Sequence, residues 1–133
     1  MPSLKCILWH VILSLYVKSK CMTQLHQVLI NTLNDCAIQC NNCYSLSLKE
    51  KSIEMIKCIR TSRDCADICQ FTASMLARES VHGHHLLREC AEICDACAQI
   101  CQDNKNEQCQ KCASVCHACA EACLQHLSIS GLK

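Results

Sequence analysis

Residues 90–123 read CAEICDACAQICQDNKNEQCQKCASVCHACAEAC, and the intervals between their cysteines decide the fold. Cys90, Cys94, Cys97 and Cys101 step by four, three and four. After a polar break at Asp103, Asn104, Lys105 and Asn106, the residues Cys109, Cys112, Cys116, Cys119 and Cys123 step by three, four, three and four. At about 100° per residue these steps hold each set on one helix face, within roughly 60° for the first and roughly 80° for the second. Glu92, Asp95, Lys111 and Glu121 fall outside those arcs. Each helix therefore carries a stripe of thiols where a bundle helix ordinarily carries leucine.

The same pattern extends upstream. A helix is predicted from about Lys49 to Ala77, carrying Ile53, Ile56, Cys58, Cys65, Cys69 and Met75, and its three cysteines fall within roughly 40°. Before it, a helix from about Thr23 to Tyr44 puts Leu25, Val28, Leu29, Leu33, Cys36, Cys40 and Cys43 on one face. Ser45 and Ser47 are expected to loosen the chain between these two, and a second break falls near Ser80 to Gly83. The third helix spans about His84 to Gln102, and the fourth about Glu107 to Leu127. Residues 129–133 form a tail in which Gly131 is a helix stop. Cys65-Ala-Asp-Ile-Cys69, Cys90-Ala-Glu-Ile-Cys94 and Cys119-Ala-Glu-Ala-Cys123 are near copies, so one local job recurs along the chain. Helices of about 20 residues on short links pack antiparallel in chain order. The expected fold is all-α, an up-down-up-down four-helix bundle with a cysteine-lined core.

Composition agrees. Two glycines and one proline leave few breaks for sheets or long loops, and a chain of 133 residues suits one domain. Aromatic residues make up 3%, so leucine, isoleucine, alanine and cysteine must fill the core. A net charge of +1 with interspersed signs carries no footprint for nucleic acid or an anionic membrane. The 17 cysteines form an odd set at helical intervals, unlike the loop-rich chains of disulfide scaffolds.

Residues 1–21 differ from the rest. Cys6 to Val17 is a mostly apolar run of 12 residues, short of the roughly 20 that span a bilayer. Lys5 lends it a signal-like start, but no A-x-A cleavage site follows and no twin arginine precedes it. We read 1–21 as an N-terminal extension, a mis-start upstream of Met22 or a signal-like segment, and 22–128 as the bundle. Cys6 and Cys21 lie outside the stripe pattern.

One or two buried thiols behave as small apolar residues. Four facing stripes of them would leave a core short of volume and of packing contacts. Soft cations bound to sulfur fill that space. Cysteines at i, i+3 and i, i+4 lie about 5–6 Å apart at Cβ and can pinch one ion. Soft thiolates select copper(I), zinc or iron–sulfur clusters. Zinc wants four ligands in a closed tetrahedron. Iron–sulfur ligands commonly sit in loops, often ending Cys-Pro, which is absent here. Copper(I) accepts two or three sulfurs and tolerates bridging. An iron–sulfur electron carrier and a zinc buffer are the alternatives to copper(I) storage. No residue stands apart as a catalytic nucleophile, so an enzyme is not expected.

These stripes and the repeated Cys-Ala-x-x-Cys pattern resemble the bacterial copper storage protein family, in its cytosolic branch, over about residues 22–127. The resemblance implies a cytoplasmic four-helix bundle that assembles into homotetramers and stores multiple copper(I) ions, received from a copper chaperone or a low-molecular-weight thiol. The ligands it implies are Cys36, Cys40, Cys43, Cys58, Cys65, Cys69, Cys90, Cys94, Cys97, Cys101, Cys109, Cys112, Cys116, Cys119 and Cys123. The antiparallel topology also brings His26, Met75, His82, His84, His85 and His126 towards one end. Imidazole and thioether both bind copper, so this end is a candidate entry port, with His126, which continues its helix's thiol stripe, and His85, which lies off its own, as candidate additional ligands. Met55 sits one turn before Cys58 and is a candidate cap for the other end, and His117 is expected to face outwards.

Overall fold

The computed structural model describes residues 3–130, with the side chains of Ser19, Cys21 and Met22 outside the described set, as is Gly131. Helix α1 spans Leu4–Lys49, α2 Ile56–Ala77, α3 Gly83–Gln102 and α4 Glu107–Ile129, with a single 3-10 turn at Ile53–Met55 leading into α2. No strand occurs among the described residues. Helix α1 packs on α2 and α4, and α3 packs on the same two, leaving α2 and α4 to meet only slightly across the centre. Cross-helix sulfur pairs such as Cys65–Cys94 and Cys69–Cys90 run in opposite senses along the chain, as antiparallel neighbours require. The bundle is up-down-up-down, as the cysteine intervals predict.

Alanine explains how the helices come close enough for this. Ala37, Ala66, Ala91, Ala98, Ala113 and Ala120 each follow a stripe cysteine, and all are buried. Interaxial distance depends on the side chains at the contact, and a methyl is the smallest that still packs. Leu29, Leu33, Leu76, Leu87 and Leu127 close one end of the core, where the thiol stripes give way to aliphatic side chains.

Several boundaries differ from expectation. Helix α1 does not stop at Tyr44, because Ser47 is buried on the thiol side rather than solvated, with its hydroxyl 3.8 Å from the Cys43 sulfur. Nor does α2 begin at Lys49: the turn falls at Glu50–Ser52, where the Ser52 hydroxyl accepts from the Glu54 N–H. Leu25 and Val28 lie on the outer side of α1, at 38% and 60% exposure, and Ile53 is 85% exposed. Ile56 is likewise exposed. Leu29 and Leu33 on the same stripe reach the core, with Ile30 buried beside them, whereas Leu25, one turn further towards the N-terminus, does not. Upstream, α1 continues to Leu4 with an N-cap at Ser3, and the described side chains from Leu4 to Val17 are exposed.

Both turns after α1 and α2 place a non-glycine residue in the left-handed region, Lys51 at φ 51° and Glu79 at φ 53°. After α2 the Glu79 N–H reaches the Leu76 carbonyl and the Ser80 N–H the Met75 carbonyl, both at 3.0 Å, which is the Schellman closure usually made with glycine. A side chain in that conformation costs roughly 1–2 kcal/mol. Glu79→Gly should therefore stabilise the apo bundle by about 1 kcal/mol, read as a higher urea midpoint at unchanged slope.

Candidate metal core

Fifteen cysteines lie at no more than 2% exposure, and they are the fifteen that the stripe pattern selects. Cys6, by contrast, is exposed, and Cys21 lies outside the described side chains. The buried sulfurs are free thiols, with close pairs such as Cys40–Cys116 at 3.4 Å and Cys65–Cys94 at 3.5 Å. Those separations are far beyond the bonded length of about 2.05 Å.

The thiols gather into overlapping groups whose sulfurs all lie within 4.8 Å of one another. Four groups hold four thiols: Cys69/Cys90/Cys94/Cys119, Cys36/Cys65/Cys69/Cys94, Cys36/Cys40/Cys65/Cys116 and Cys40/Cys97/Cys112/Cys116. A fifth holds three, Cys43/Cys101/Cys112. Neighbouring groups share sulfurs, so they form a ladder along the bundle axis. Cys123 extends it at one end, where Cys119 and Cys90 are its neighbouring thiols. The Cys58–Cys109 pair, 3.7 Å apart, closes the other.

Shared corners bear on which metal fits. A tetrahedral zinc with Zn–S bonds of about 2.3 Å fits one isolated four-thiol group. It fits poorly where adjacent groups claim the same two sulfurs, as Cys40 and Cys116 are claimed twice. A metal that accepts two or three sulfurs and tolerates bridging can occupy every group at once. Sulfurs this close also leave no room for a core of iron and inorganic sulfide between them.

Burial disfavours ionised sulfur in the empty core, although hydrogen bonds from neighbouring cysteines pull Cys36, Cys65, Cys90, Cys97 and Cys112 the other way. Burial, then the neighbouring Cys109, push the Cys58 thiol up to about 12 from an ordinary 9.0. At Cys43 a hydrogen bond from Cys101 pulls downward, but Cys112 and burial outweigh it and the thiol also rises to about 12. Cys123 is raised by its hydrogen bonds with Cys119 and Cys90 and by burial. A row of ionised sulfurs without cations would be prohibitively costly here.

The remaining candidates divide between the two ends. His26 and His126 come together with ring centroids 5.8 Å apart, and His26 Nε2 lies 2.7 Å from the Leu76 carbonyl. Burial, then the charge of His26, lower the pKa of the half-buried His126. At the start of α3, exposed His85 lies 3.9 Å from His84 and 6.5 Å from His82, ring to ring. Met75 is engaged by the Arg78 guanidinium. His117 faces solvent beside Glu121, 3.3 Å away. At the opposite end Met55 is buried, and its sulfur accepts hydrogen bonds from the amides of Asn104 (2.9 Å) and Asn106 (3.3 Å). A cleft of about 590 Å³, lined by Glu50, Met55, Cys58 and Asn104 among others, opens over this end.

Sequence reasoning that counted only sulfur passed over three side chains. Ser47, Ser62 and Thr72 are fully buried at 0% exposure, on the same i+3/i+4 stripes as the cysteines. The Thr72 hydroxyl has no hydrogen-bond partner. The signal was present in the spacing, because Ser62 stands four residues after Cys58 and three before Cys65.

Comparison with known proteins follows this geometry. The family described as copper storage protein matches residues 22–128. The uncharacterized cysteine-rich protein YhjQ of Bacillus subtilis (strain 168) is 35% identical over 90 residues, 67% of this chain and 83% of that protein. Among solved structures, the Cu(I)-bound copper storage protein BsCsp3 superposes with a TM-score of 0.73 at 34% identity, covering 77% of this chain and 97% of that one. A cytosolic copper storage protein from Streptomyces lividans, carrying five coppers, superposes with a TM-score of 0.78 at 32% identity, covering 82% and 97%.

Proposed function

We propose that this chain, which belongs to the copper storage protein family, stores copper(I) as a row of ions along its thiol ladder. The observation that carries the proposal is the overlap of the sulfur groups, which suits a soft, bridging, monovalent guest better than any isolated site does. Each copper(I) that binds neutralises one thiolate and releases one proton to solvent. Capacity is thus set by charge, at about fifteen ions or somewhat more.

All fifteen buried cysteines are proposed as ligands. Met55 at one end and His126 at the other frame the row, with His85 as a further donor on the surface beside His126's end. The role is storage rather than catalysis, since every buried thiol takes part in the same ladder and none is set apart with a base. Residues 22–128 carry it. The extension before Met22 contributes no described side chain to the core, and its helix stands exposed from Leu4 to Val17.

A reducing compartment is needed to keep so many adjacent thiols from oxidising, which supports a cytosolic setting like that of the Streptomyces relative. No helix among the described residues is long and apolar enough to cross a membrane. Copper(I) arrives and leaves as a thiolate complex, from a chaperone or a small thiol, by exchange of one sulfur ligand for another. Exposed apolar side chains on the outside of the bundle, Ile38, Phe71 and Leu124, support assembly into a homotetramer.

Anaerobic titration of the reduced chain with copper(I) against a chromogenic chelator tests the function. About fifteen equivalents per chain are expected before the chelator begins to compete. Saturation at one or two would refute storage, and zinc in place of copper in protein isolated from cells supplied with both would redirect it to a different metal.

A further inference from the structure

Along α2 the stripe runs Cys58, Ser62, Cys65, Cys69, Thr72, Leu76, so Ser62 occupies a position at which a cysteine would complete the helix's row. Its side chain is fully buried, and its Oγ lies 4.0 Å from the Cys112 sulfur. The same hydroxyl also favours the ionised form of the Cys43 thiol. Cys43 and Cys112 are two members of the Cys43/Cys101/Cys112 group, which has three thiols where every other group has four. Cys43 meets a second hydroxyl in Ser47, at 3.8 Å.

We infer that Ser62 is the fourth corner of the Cys43/Cys101/Cys112 group, a positioning residue that hydrogen-bonds the thiolates of a three-sulfur copper(I) site and keeps a fourth sulfur out of it. The inference rests on the copper(I) storage function and deepens it. A neutral hydroxyl oxygen is a hard donor and a poor ligand for a soft monovalent metal, so Ser62 does not replace the missing sulfur as a ligand. It has a proton to give, however, and a thiolate accepts it readily. Three thiolates holding fewer than three copper ions retain net negative charge, which in a dry core needs a donor close by. Ser62 stands beside the Cys112 sulfur and Ser47 beside the Cys43 sulfur. A fourth sulfur at this corner would instead bring another negative charge and call for another cation. Ser62 thereby lowers the capacity of the core by one ion and fixes the thiolates that hold the ions beside it.

Three variants of the full chain test this under anaerobic copper(I) titration: Ser62→Cys, Ser62→Ala and Ser62→Thr. Ser62→Cys should bind about one equivalent more than the parent at saturation. Ser62→Ala should reach the parent's count without competitor, yet surrender about one equivalent at a chelator concentration roughly tenfold below that needed by the parent. Ser62→Thr, which keeps the hydroxyl, should restore retention. Thermal midpoints of the apo variants report folding separately, and if Ser62→Ala does not fold, the count for Ser62→Cys decides alone. A parent-like count for Ser62→Cys, or parent-like retention by Ser62→Ala, would overturn the assignment while leaving storage intact. A parent that binds only one or two ions would overturn storage itself.

Discussion

Replacing Cys116 with alanine is expected to remove roughly two copper(I) ions from the saturated core, against at most about one for Cys123 and none for Cys6. The difference follows from position on the ladder. Cys116 belongs to two four-thiol groups, and its sulfur lies 3.4 Å from Cys40, 3.7 Å from Cys65, 3.8 Å from Cys112 and 3.9 Å from Cys36. Removing it takes a bridging corner from both groups at once. Cys123 belongs to no such group and touches the ladder through Cys119 and Cys90. Cys6 is exposed on the extension. The apo bundle should tolerate Cys116→Ala, since deleting one buried sulfur leaves a small cavity costing about 1 kcal/mol. Copper(I) counting by anaerobic titration measures all three. Equal losses at Cys116 and Cys123 would mean that the thiols act as independent sites, and the shared-corner account would fail.

The thiol ladder was legible in the sequence because cysteine marks its own positions. Intervals of three and four put Cys36 through Cys123 on inward faces, and all fifteen are buried there. Part of what escaped was governed by contacts that spacing alone does not encode. Ser45 and Ser47 resemble a polar break, yet Ser47 falls on the stripe and finds the Cys43 sulfur, so the helix continues through it to Lys49. Val28 stands about 80° from the phase of Cys36, and Ile56, two residues before Cys58, falls on the opposite face. Leu25 keeps the phase but lies one turn beyond Leu29, and Ile53 sits in the 3-10 turn ahead of α2. The break near Ser80 to Gly83 was legible, but the left-handed residues Lys51 and Glu79 were not, because neither position carries the glycine that usually marks one. Topology did allow the histidine end to be anticipated, and His26 and His126 meet there. That His26 also sits against the Leu76 carbonyl depends on how α1 and α2 dock, which no local pattern states.

Alkaline pH should unfold the empty bundle and leave the loaded one standing. Cys58 and Cys43 are both raised to about 12 in the fold, from an ordinary 9.0. In the unfolded chain these thiols ionise near the ordinary value. Between about 9 and about 12 these two thiols therefore hold more protons in the folded state than in the unfolded one, and the stability they contribute falls as pH rises. Below that window the stabilisation from the raised values is fully present. Each such thiol costs roughly 1.4 kcal/mol per pH unit across it, and two acting together approach 3 kcal/mol per unit, a large share of a typical domain's stability. In the copper-loaded chain the thiolates have already lost their protons and are neutralised by metal, so no further ionisation opposes the fold. Its vulnerability lies on the acid side, where protons compete with copper(I) for sulfur and release it. Urea midpoints for both forms, taken anaerobically with a phosphine reductant at pH 7, 9 and 10.5, should diverge steadily. An apo midpoint as flat as the loaded one would mean that the empty core does not hold its thiols protonated, and that the charge argument for high capacity starts from the wrong state.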